Sequence, residues 1–518
     1  MPRARARQSR RPRHLCPLPR VHVAAIVPAA VVPALTVTAQ DSLIESVCLV
    51  TDLGSVTDGT FNQFAHEGAV MAEEEFGLDY RFIETQAQTD YDANIQTCLD
   101  EGFDAIVTVG FLIAESTTAA AQANPDTYFI GVDQGSTGEA NYVGLLFRED
   151  QAGFLAGALA AQVSESGIVA GVYGIEIPPV IKFRNGFEQG AKYINPDIET
   201  LGVYLPSFTD PAAGGAAANS AIGEGADVVF GAGGPTGSGG IKEAAQGGTL
   251  VIGVDQDEYL TTFGNGEAPG AENLISSAVK RVDQAVYLAL QALVNGGDDF
   301  PGGGNLILSA ANDGVGFAEP HDAADKIPEE VTAKMEEILA GLKDGTIVTG
   351  VDPVSGALLP DLFTAAKEAG LTTFASILEA VGFQDMMGAI PPGAGLTIFA
   401  PSDEAFAALP EGTLDELMAD PTGETMQGIL GLHVALGAHP SSNIADLGEV
   451  STLGGSAVTV TAGDDGVMLN DTATVTTADI LFDHGVIEAM LAGFALLGDT
   501  PPADVFCVVI AVSRVSVL

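Results

Sequence analysis

Polar side chains that could hold a small molecule stand directly after an apolar run near the start of the chain. The stretch VCLVTDLGSVTDGTFNQ (47–63) has the pattern of a short strand, a polar loop with glycines and the first turn of a helix. Ligands of open α/β sheets bind at the carboxyl ends of strands. The candidate ligand-binding residues of this loop are therefore Asp52, Asp58, Phe61 and Asn62. The competing interpretation is structural, because Asp and Asn are common helix N-caps and the aromatic ring could pack in a core.

The same kind of strand end recurs further along the chain. Asp133 closes the run FIGVD, Asp255 closes the run VIGVD, and Phe208 follows a third apolar run. A Gly-rich loop, GAGGPTGSGG, follows a fourth run and includes Gly233 and Gly234. Glycines let a backbone approach a ligand closely, and carboxylates accept hydrogen bonds from hydroxyls and ring N–H groups. We expect all these strand ends to face one cleft.

No catalytic motif accompanies these candidates. The Gly-rich loop lacks the G-K-[ST] ending of a nucleotide-phosphate loop. Neither a G-x-S-x-G elbow nor an H-E-x-x-H helix occurs, and the 7 histidines form no visible constellation. We therefore expect a binding protein without enzymatic activity, cofactor or metal.

The elements that must position these residues alternate in βα order. Strands are predicted at 46–50, 80–84, 105–109, 128–132 and 142–146, then at 167–173, 200–204, 227–231 and 249–254, with helices between them such as 61–75 and 112–123. This alternation predicts an α/β protein with two mostly parallel sheets, each covered by helices on both faces. Residues 150–164 would lead from the first series into the second.

Three motifs carry a family resemblance: the loop at 47–63, EIPPVIKFRNGF (176–187) and IGVDQD (252–257). In this order they resemble the basic membrane protein family, the nucleoside-receptor-like solute-binding lipoproteins of ABC importers. The resemblance implies a bilobal periplasmic-binding-protein-like fold, with two doubly wound parallel sheets joined by hinge crossovers. On that plan we expect a helix over 276–292 and strands within 305–317 that return to the first lobe.

The resemblance also implies how a purine-like base would be held. Phe61 would stack on one face of the base and Phe208 on the other, with Phe230 and Phe187 as rivals for the second position. The base edge would be contacted by Asp52, Asn62 and Asp133.

The sugar would be held by a different set of residues. In the family pattern Asp255 and Lys280 match the positions that hold ribose hydroxyls, while the backbone of Gly233 and Gly234 lines the pocket. A purely structural ion pair between Lys280 and Asp255 is the alternative.

The pattern of the chain changes after residue 356, where we place a domain boundary. TIFAPSDEAF (397–406) and the pair Leu432 and His433 resemble the signatures of fasciclin-like domains, compact α+β modules of extracellular adhesion proteins. The second signature, normally an Asn-Gly-Val-Ile-His-like run, is present as HGVIE (484–488). The predicted organisation is a signal peptide (1–39), a bilobal solute-binding domain (40–356), a fasciclin-like domain (357–499) and a tail (500–518).

The N-terminal region and the overall charge indicate export. Arginines crowd residues 2–20 and precede an apolar run at 23–37, which is typical of a secretory signal removed near Ala39. Cys16 precedes the apolar run instead of ending it, so lipid anchoring stays open. The net charge of −49 argues against nucleic acid as a partner, because phosphate binding needs clustered Lys and Arg.

Two cysteines are candidates for a disulfide. Cys48 lies at the start of the first predicted strand and Cys98 near the end of the helical stretch 91–100. A crossover helix runs antiparallel to its strands, so its end returns to the edge of the sheet where strands begin. Export permits the bridge, and two buried free thiols are the alternative. Cys507 has no evident partner.

These observations favour a secreted or cell-surface protein that captures a purine nucleoside or a similar small molecule for the permease of an ABC importer. The fasciclin-like domain would tether it to cell-surface or matrix components. The alternative function is a cell-surface adhesion or matrix protein with a non-transport ligand-sensing domain. A nucleoside hydrolase ranks third, because its metal-binding Asp cluster is absent from the first strand loop.

Overall fold

The computed structural model describes residues 42–383, 387, 390–391, 393–463 and 466–491. The predicted signal peptide, Cys16, Cys507 and the tail lie outside these residues. Among the described residues, no helix has the length and apolar character needed to cross a bilayer.

Strands and helices alternate through residues 42–344. In chain order they are β1 (Ser46–Leu53), α1 (Phe61–Phe76), β2 (Asp79–Thr85), α2 (Tyr91–Glu101), β3 (Ala105–Val109), α3 (Ala114–Ala123), β4 (Tyr128–Val132), β5 (Tyr142–Phe147), α4 (Glu149–Val163), β6 (Ile168–Tyr173), α5 (Pro178–Ile194), β7 (Glu199–Tyr204), α6 (Pro211–Gly223), β8 (Val228–Ala232), α7 (Gly234–Gln246), β9 (Leu250–Asp255), β10 (Leu274–Lys280), α8 (Val282–Val294), β11 (Asn305–Leu308), β12 (Val315–Phe317) and α9 (Glu329–Asp344).

The first lobe is built on a parallel sheet of order β11-β5-β4-β3-β1-β2. Its central strand β3, with the sequence AIVTV, is buried at every position. β-branched residues suit a strand that is covered on both faces, because their side chains pack well on a pleated surface. The strand ends that carry Asp52 and Asp133 therefore lie at the same edge of this sheet.

The second lobe repeats the plan with a sheet of order β12-β10-β9-β8-β6-β7. Strand β4 in the first sheet and β9 in the second occupy corresponding places, so Asp133 and Asp255 leave their sheets at equivalent points. The predicted two-lobed α/β fold is confirmed. Strand β12 is antiparallel to β10 and is the exception to the parallel arrangement.

Two details of the predicted return crossing are wrong. Residues 276–292 do not form one helix: β10 occupies Leu274–Lys280 and α8 follows from Val282. Strand β10 lies between β9 and β12 and is buried on both faces, so its sequence LISSAVK shows no alternation that marks a strand. Within 305–317, β11 joins the first lobe as expected, but β12 pairs with β10 in the second.

The chain crosses between the lobes three times within residues 42–342, all of which are described: after β5, after β10 and between β11 and β12. Helix α4, which follows the first crossing, packs in the core of the second lobe. Helix α8, which follows the second crossing, packs back on the first. Both crossings have the sequence Arg-x-Asp-Gln-Ala, and in each the Arg guanidinium donates two hydrogen bonds to the Asp carboxylate.

A disulfide joins Cys48 of β1 to Cys98 of α2, with 5.9 Å between the Cα atoms. Both residues are fully buried between the first sheet and α2. The bridge fixes the C-terminal end of α2 to the beginning of β1.

The C-terminal region combines short helices with a third sheet. Its elements are α10 (Leu362–Glu368), α11 (Thr372–Ala380), β13 (Leu396–Pro401), α12 (Asp403–Ala407), α13 (Thr413–Met418), α14 (Glu424–Gly431), β14 (Val434–Leu436), α15 (Ser441–Leu447), β15 (Glu449–Ser451), β16 (Ala457–Gly463), β17 (Gly466–Leu469), β18 (Ala473–Phe482) and β19 (Gly485–Met490). The motif TIFAPSDEAF lies in the buried strand β13 and in α12, whose N-terminus is capped by the Ser402 hydroxyl. The predicted α+β architecture is confirmed.

The segment between the two parts contacts both of them. The Thr349 hydroxyl donates to Asp150 at the first lobe crossing (2.6 Å), and Ile347 packs in the core of the second lobe. Ile347 also pairs with Ala394 in an isolated β-bridge. The domain boundary at residue 356 stays a prediction.

Candidate functional site

A cleft between the lobes contains about 550 Å³ of space between protein atoms, part of it open to solvent. Its lining includes every candidate ligand-binding residue from the sequence: Asp52, Asp58, Phe61, Asn62, Asp133, Phe208, Gly233, Gly234, Asp255 and Lys280. The loops that the strand-end argument names therefore meet at one cleft, and their role in binding a ligand stays a prediction. These side chains make different contacts: some cap a helix, some form ion pairs and some have no donor from the described residues.

Asp58 and Asn62 shape the loop before α1. One carboxylate oxygen of Asp58 accepts the N–H groups of Thr60 (2.9 Å) and Gln63 (3.1 Å). The other accepts the backbone N–H and the side-chain amide of Asn62, at 3.1 and 2.9 Å. These N–H groups belong to the start of a helix, where no intrahelical acceptor is available. The helix-capping interpretation of Asp58 is thus present in the structure, beside its place on the cleft wall.

One carboxylate oxygen of Asp52 is hydrogen-bonded to protein groups, and the other lies at the cleft without a donor from the described residues. Its Oδ1 accepts the Leu53 N–H (2.7 Å) and the Tyr91 hydroxyl, and its backbone N–H donates to Asn62 Oδ1 (2.9 Å). No described residue donates to Oδ2. A Cβ at Gly110 would lie 2.2 Å from this Oδ2, so only glycine leaves room for the carboxylate there. Burial raises the pKa of Asp52 to about 6, because a desolvated carboxylate is costly to ionise.

A buried network of ion pairs stands at the base of the cleft. Lys280 Nζ lies 2.7 Å from Asp133 and 2.8 Å from Glu149. Lys182 pairs with Glu149 at 2.5 Å and donates to the Phe147 carbonyl at 2.9 Å. The surrounding carboxylates hold the pKa of Lys280 above its usual range, so this lysine stays charged. The alternative pair of Lys280 with Asp255 is not what forms, because the lysine reaches to the opposite lobe.

Asp255 forms no ion pair with any described residue. It ends β9 with a left-handed backbone (φ +65°), as Asp133 does at the end of β4 (φ +59°). No described residue makes a hydrogen bond or ion pair with its carboxylate. Burial raises the pKa of Asp255 to about 7, and the charge of Lys280 only partly opposes the shift. The Asp255 carboxylate is therefore available in the cleft to accept hydrogen bonds from a ligand.

Aromatic and apolar side chains form the cleft walls. Phe61 and Phe208 both line the cleft, and Lys280 Nζ lies 4.9 Å from the Phe61 ring centre. The rivals Phe187 and Phe230 stack on each other in the core of the second lobe, with ring centres 5.2 Å apart. Neither belongs to the cleft lining.

The turn from β8 into α7 brings backbone to the cleft. Gly233 has a φ of +131°, and a Cβ there would lie 2.3 Å from the Gly174 nitrogen. Gly234 has a φ of +60° and sits beside the Phe208 carbonyl. A side chain at residue 233 would have to displace backbone, so the close approach depends on glycine.

Two hydrogen bonds join the lobes across the mouth of the cleft. The Gln256 side-chain amide donates to the Thr60 carbonyl (3.2 Å), and the Thr261 hydroxyl donates to the Gly59 carbonyl (2.7 Å). Such contacts require the two loops to be close together, so the structure shows the closed form of the lobes.

Eight further residues of the described chain line the cleft and have no binding role predicted from the sequence, although the loop that begins at Gly110 is predicted to face it. They are Leu53, Gly110, Phe111, Ile177, Pro179, Val180, Phe183 and Pro235. Four of them belong to the family motif EIPPVIKFRNGF, whose position in the cleft could have been inferred from its order in the chain. Tyr91 carried no signal, because its role depends on a contact with a residue thirty-nine positions away.

Comparisons with known proteins identify the two parts of the chain. The sequence profile of the PnrA-like ABC transporter substrate-binding proteins matches residues 45–342. The chain belongs to this family. A profile of the fasciclin domain matches residues 369–490. The PnrA-like family consists of substrate-binding proteins of transporters and is not a family of enzymes.

Individual relatives agree with this assignment. The "ABC transporter nucleoside-binding protein BmpA" of Lactococcus lactis is 29% identical over 306 residues, covering 57% of this chain and 86% of the relative. "Basic membrane protein A" of Borreliella burgdorferi is 34% identical over 253 residues, covering 48% and 71%. A solved solute-binding protein of an ABC transporter from Aeropyrum pernix matches with a TM-score of 0.52 and 27% identity, covering 59% and 94%.

Proposed function

We propose that the cleft of this PnrA-like protein captures a purine nucleoside outside the cell membrane and presents it to an ABC importer. The observation that carries the proposal is that one cleft contains both carboxylate oxygens without a bound donor and aromatic walls. Asp52 Oδ2 and the Asp255 carboxylate have no donor from the described residues, and Phe61 and Phe208 line the same space. A nucleoside satisfies both features, because its flat base carries N–H donors and its sugar carries O–H donors.

The charge of the cleft favours a neutral solute over an anionic one. Its lining carries four aspartates, and the lining cation, Lys280, is already held by Asp133 and Glu149. A phosphate group would enter beside carboxylates, and the described part of the lining offers no free cation to receive it. Nucleosides should therefore bind better than their nucleotides.

The roles follow the family pattern where contacts allow it. Phe61 and Phe208 stack on the base, and the open oxygen of Asp52 accepts from its edge. Asn62 and Asp133 lie on the same wall with their side chains bonded to protein groups, so they shape this edge of the site. Asp255 accepts from the ribose hydroxyls, and Lys280 holds the wall through its ion pairs. Gly233 and Gly234 approach the ligand with backbone. The relative from Lactococcus lactis is described as nucleoside-binding, which supports this ligand class.

Binding and delivery would use the closure of the lobes. The hydrogen bonds from Gln256 and Thr261 to the opposite lobe form only when the cleft is shut. A ligand that stabilises this form gives the permease a surface that differs from the open state. The fasciclin domain, which we place at 357–499, would tether the protein to cell-surface or matrix components.

A thermal-shift panel of nucleosides, free bases, nucleotides and sugars tests the ligand class. A nucleoside should raise the melting temperature by an amount that grows with its concentration, because it binds only the folded state. Nucleotides and sugars should do so weakly or not at all. A panel in which no nucleoside raises the melting temperature would remove the proposal.

Calorimetry of Asp255→Ala then separates sugar from base recognition. If Asp255 accepts from the ribose, the variant should lose nucleoside affinity by about 1.5–3 kcal/mol and bind a free base like the parent. Equal losses for both ligands would assign Asp255 to the shape of the cleft instead.

A further inference from the structure

Helix α2 is fastened to strand β1 at both of its ends. At the C-terminal end the disulfide joins Cys98 to Cys48. At the N-terminal end the buried Tyr91 hydroxyl donates to Asp52 Oδ1. Tyr91 and Cys98 are seven residues apart, so they lie on one face of the helix within about 20° of rotation. That face, with Ile95 between them, is the buried face.

The hydrogen bonds from Tyr91 and Leu53 fix the plane of the Asp52 carboxylate relative to the cleft. Oδ1 receives the Tyr91 hydroxyl and the Leu53 N–H, and the carboxylate is thereby held in one rotation about its Cβ–Cγ bond. Oδ2 lies beside Gly110, and no donor among the described residues reaches it. A phenylalanine at residue 91 would keep the ring in place and remove one of the two donors that fix the carboxylate, leaving the Leu53 N–H.

We infer that Tyr91 is a positioning residue for ligand recognition, which aims Asp52 Oδ2 into the cleft, and that the Cys48–Cys98 disulfide holds the helix that carries it. The inference rests on the proposed function for the identity of the ligand. Its structural part, the control of Asp52 by Tyr91, does not depend on that identity.

The positioning role of Tyr91 predicts a change in the pKa of Asp52. A donor to a carboxylate favours the ionised form, so Tyr91 opposes the upward shift that burial imposes on the pKa of Asp52. Asp133, at the end of β4, adds to the upward shift. The other charged groups of the cleft wall are Asp58 before α1, Lys280 bound to Asp133, and Asp255 in the second lobe. Removing the Tyr91 hydroxyl should therefore raise the pKa of Asp52 above about 6.

The direct test is an NMR titration of the ligand-free protein with ¹³C-labelled aspartate carboxyls. The Asp52 signal is assigned by its loss in Asp52→Asn. In Tyr91→Phe the titration midpoint of Asp52 should move upward by roughly one pH unit. Tyr80→Phe is the matched control, because it removes a tyrosine hydroxyl bonded to His66 in the same lobe and outside the cleft lining. An unchanged Asp52 midpoint in Tyr91→Phe overturns the inference, whether or not any nucleoside binds.

The pH dependence of nucleoside affinity provides the functional readout. The parent should lose affinity first through about pH 7, where Asp255 protonates, and again through about 6, because protonated Asp52 no longer accepts from the ligand. The Asp52 step is therefore compared in an Asp255→Asn background, with and without Tyr91→Phe. Tyr91→Phe should bind about tenfold more weakly at pH 6.5 and begin its loss at higher pH. A uniform loss at every pH would mean that Tyr91 only stabilises the fold. A parent that binds no nucleoside would instead defeat the proposed function and leave the NMR result standing.

The share of the disulfide is tested with Cys48→Ser/Cys98→Ser. This variant should shift the Asp52 midpoint in the same direction as Tyr91→Phe and by a smaller amount, because one of the two fastenings of α2 remains. No shift at all would limit the disulfide to a role in stability and refute its part in positioning.

Discussion

The sequence Ile-Gly-Val-Asp-Gln ends a strand in both lobes, at 130–134 and at 252–256. The strands hold corresponding places in their sheets, and both aspartates have left-handed backbone. Their surroundings nevertheless differ. Asp133 is held by Lys280 through both carboxylate oxygens, each at 2.7 Å, whereas no described residue binds the Asp255 carboxylate. Local sequence alone does not determine which of the two is structural.

One lysine creates the difference. Lys280 ends β10, the neighbour of β9, yet its side chain crosses to Asp133 and Glu149 instead of pairing with Asp255. The lysine therefore ties the second lobe to the first and leaves Asp255 open for a ligand. A paired buried carboxylate contributes to the fold, and an unpaired one contributes to binding at a cost in stability.

The largest effect is expected from removing Lys280, which makes the surroundings of Asp133 and Asp255 different. Lys280→Met should lower the free energy of unfolding by about 3–5 kcal/mol, because it leaves Asp133 and Glu149 buried with one cation fewer. Lys334→Met, which breaks a partly exposed pair with Glu337, is the control and should change stability by less than about 1 kcal/mol. Denaturant unfolding measures both. Similar small changes in the two variants would mean that the buried network contributes little.

The two aspartates should respond in opposite directions to the same substitution. At pH 8, Asp133→Asn should lower the free energy of unfolding by about 2 kcal/mol, because Lys280 loses a partner. Asp255→Asn should raise it by about 1–2 kcal/mol, because the buried charge is removed. Chemical denaturation of both variants checks the signs. If Asp255→Asn destabilises as much as Asp133→Asn, the distinction between them fails.

The buried carboxyls in and around the cleft also predict how stability depends on pH. Burial raises the pKa of Asp255 and of Glu258 to about 7, and those of Asp52 and Asp133 to about 6, with the charge of Lys280 opposing the shift at Asp133. Above these values the folded state holds buried charge, and below them it binds protons that the unfolded state does not yet bind. The ligand-free protein should therefore become more stable as pH falls from 8 to 5.5, with Asp255 and Glu258 each contributing about 2 kcal/mol. Asp255→Asn should show a shallower gain in the same series of melting curves, and an equal gain would contradict the assignment.

The smallest effect is expected at the glutamine that follows each aspartate. Gln134 bonds inside its own lobe, donating to the Thr108 and Gly110 carbonyls, whereas Gln256 donates across the cleft to Thr60. Gln256→Ala should leave stability within about 0.5 kcal/mol and weaken nucleoside binding by about 1 kcal/mol. Gln134→Ala should mainly lower stability. Calorimetry measures the loss of nucleoside affinity in both variants, and denaturation measures the loss of stability. The prediction fails if Gln256→Ala mainly loses stability or Gln134→Ala mainly loses affinity.

The sequence predicts the loops of the site better than their contacts. The βα alternation and the strand-end residues place Asp52, Asp133 and Asp255 correctly on one cleft, because parallel strands bring their ends to the same edge. The misread stretch 276–292 shows the limit of periodicity, since a strand buried on both faces has no alternation to detect. The Lys280–Asp133 pair and the Tyr91–Asp52 hydrogen bond join residues far apart in the chain, and nothing in their local sequence marks them.

The central claim is that the cleft between the lobes is the nucleoside site, and Phe61 tests it most directly. Calorimetric titration of a purine nucleoside into the parent and into Phe61→Ala compares the site with and without the aromatic wall of the first lobe. The variant should bind about 1–3 kcal/mol more weakly, because it loses the buried ring area and the stacking contact. Binding as tight as that of the parent, in a variant that melts like the parent, would contradict the account.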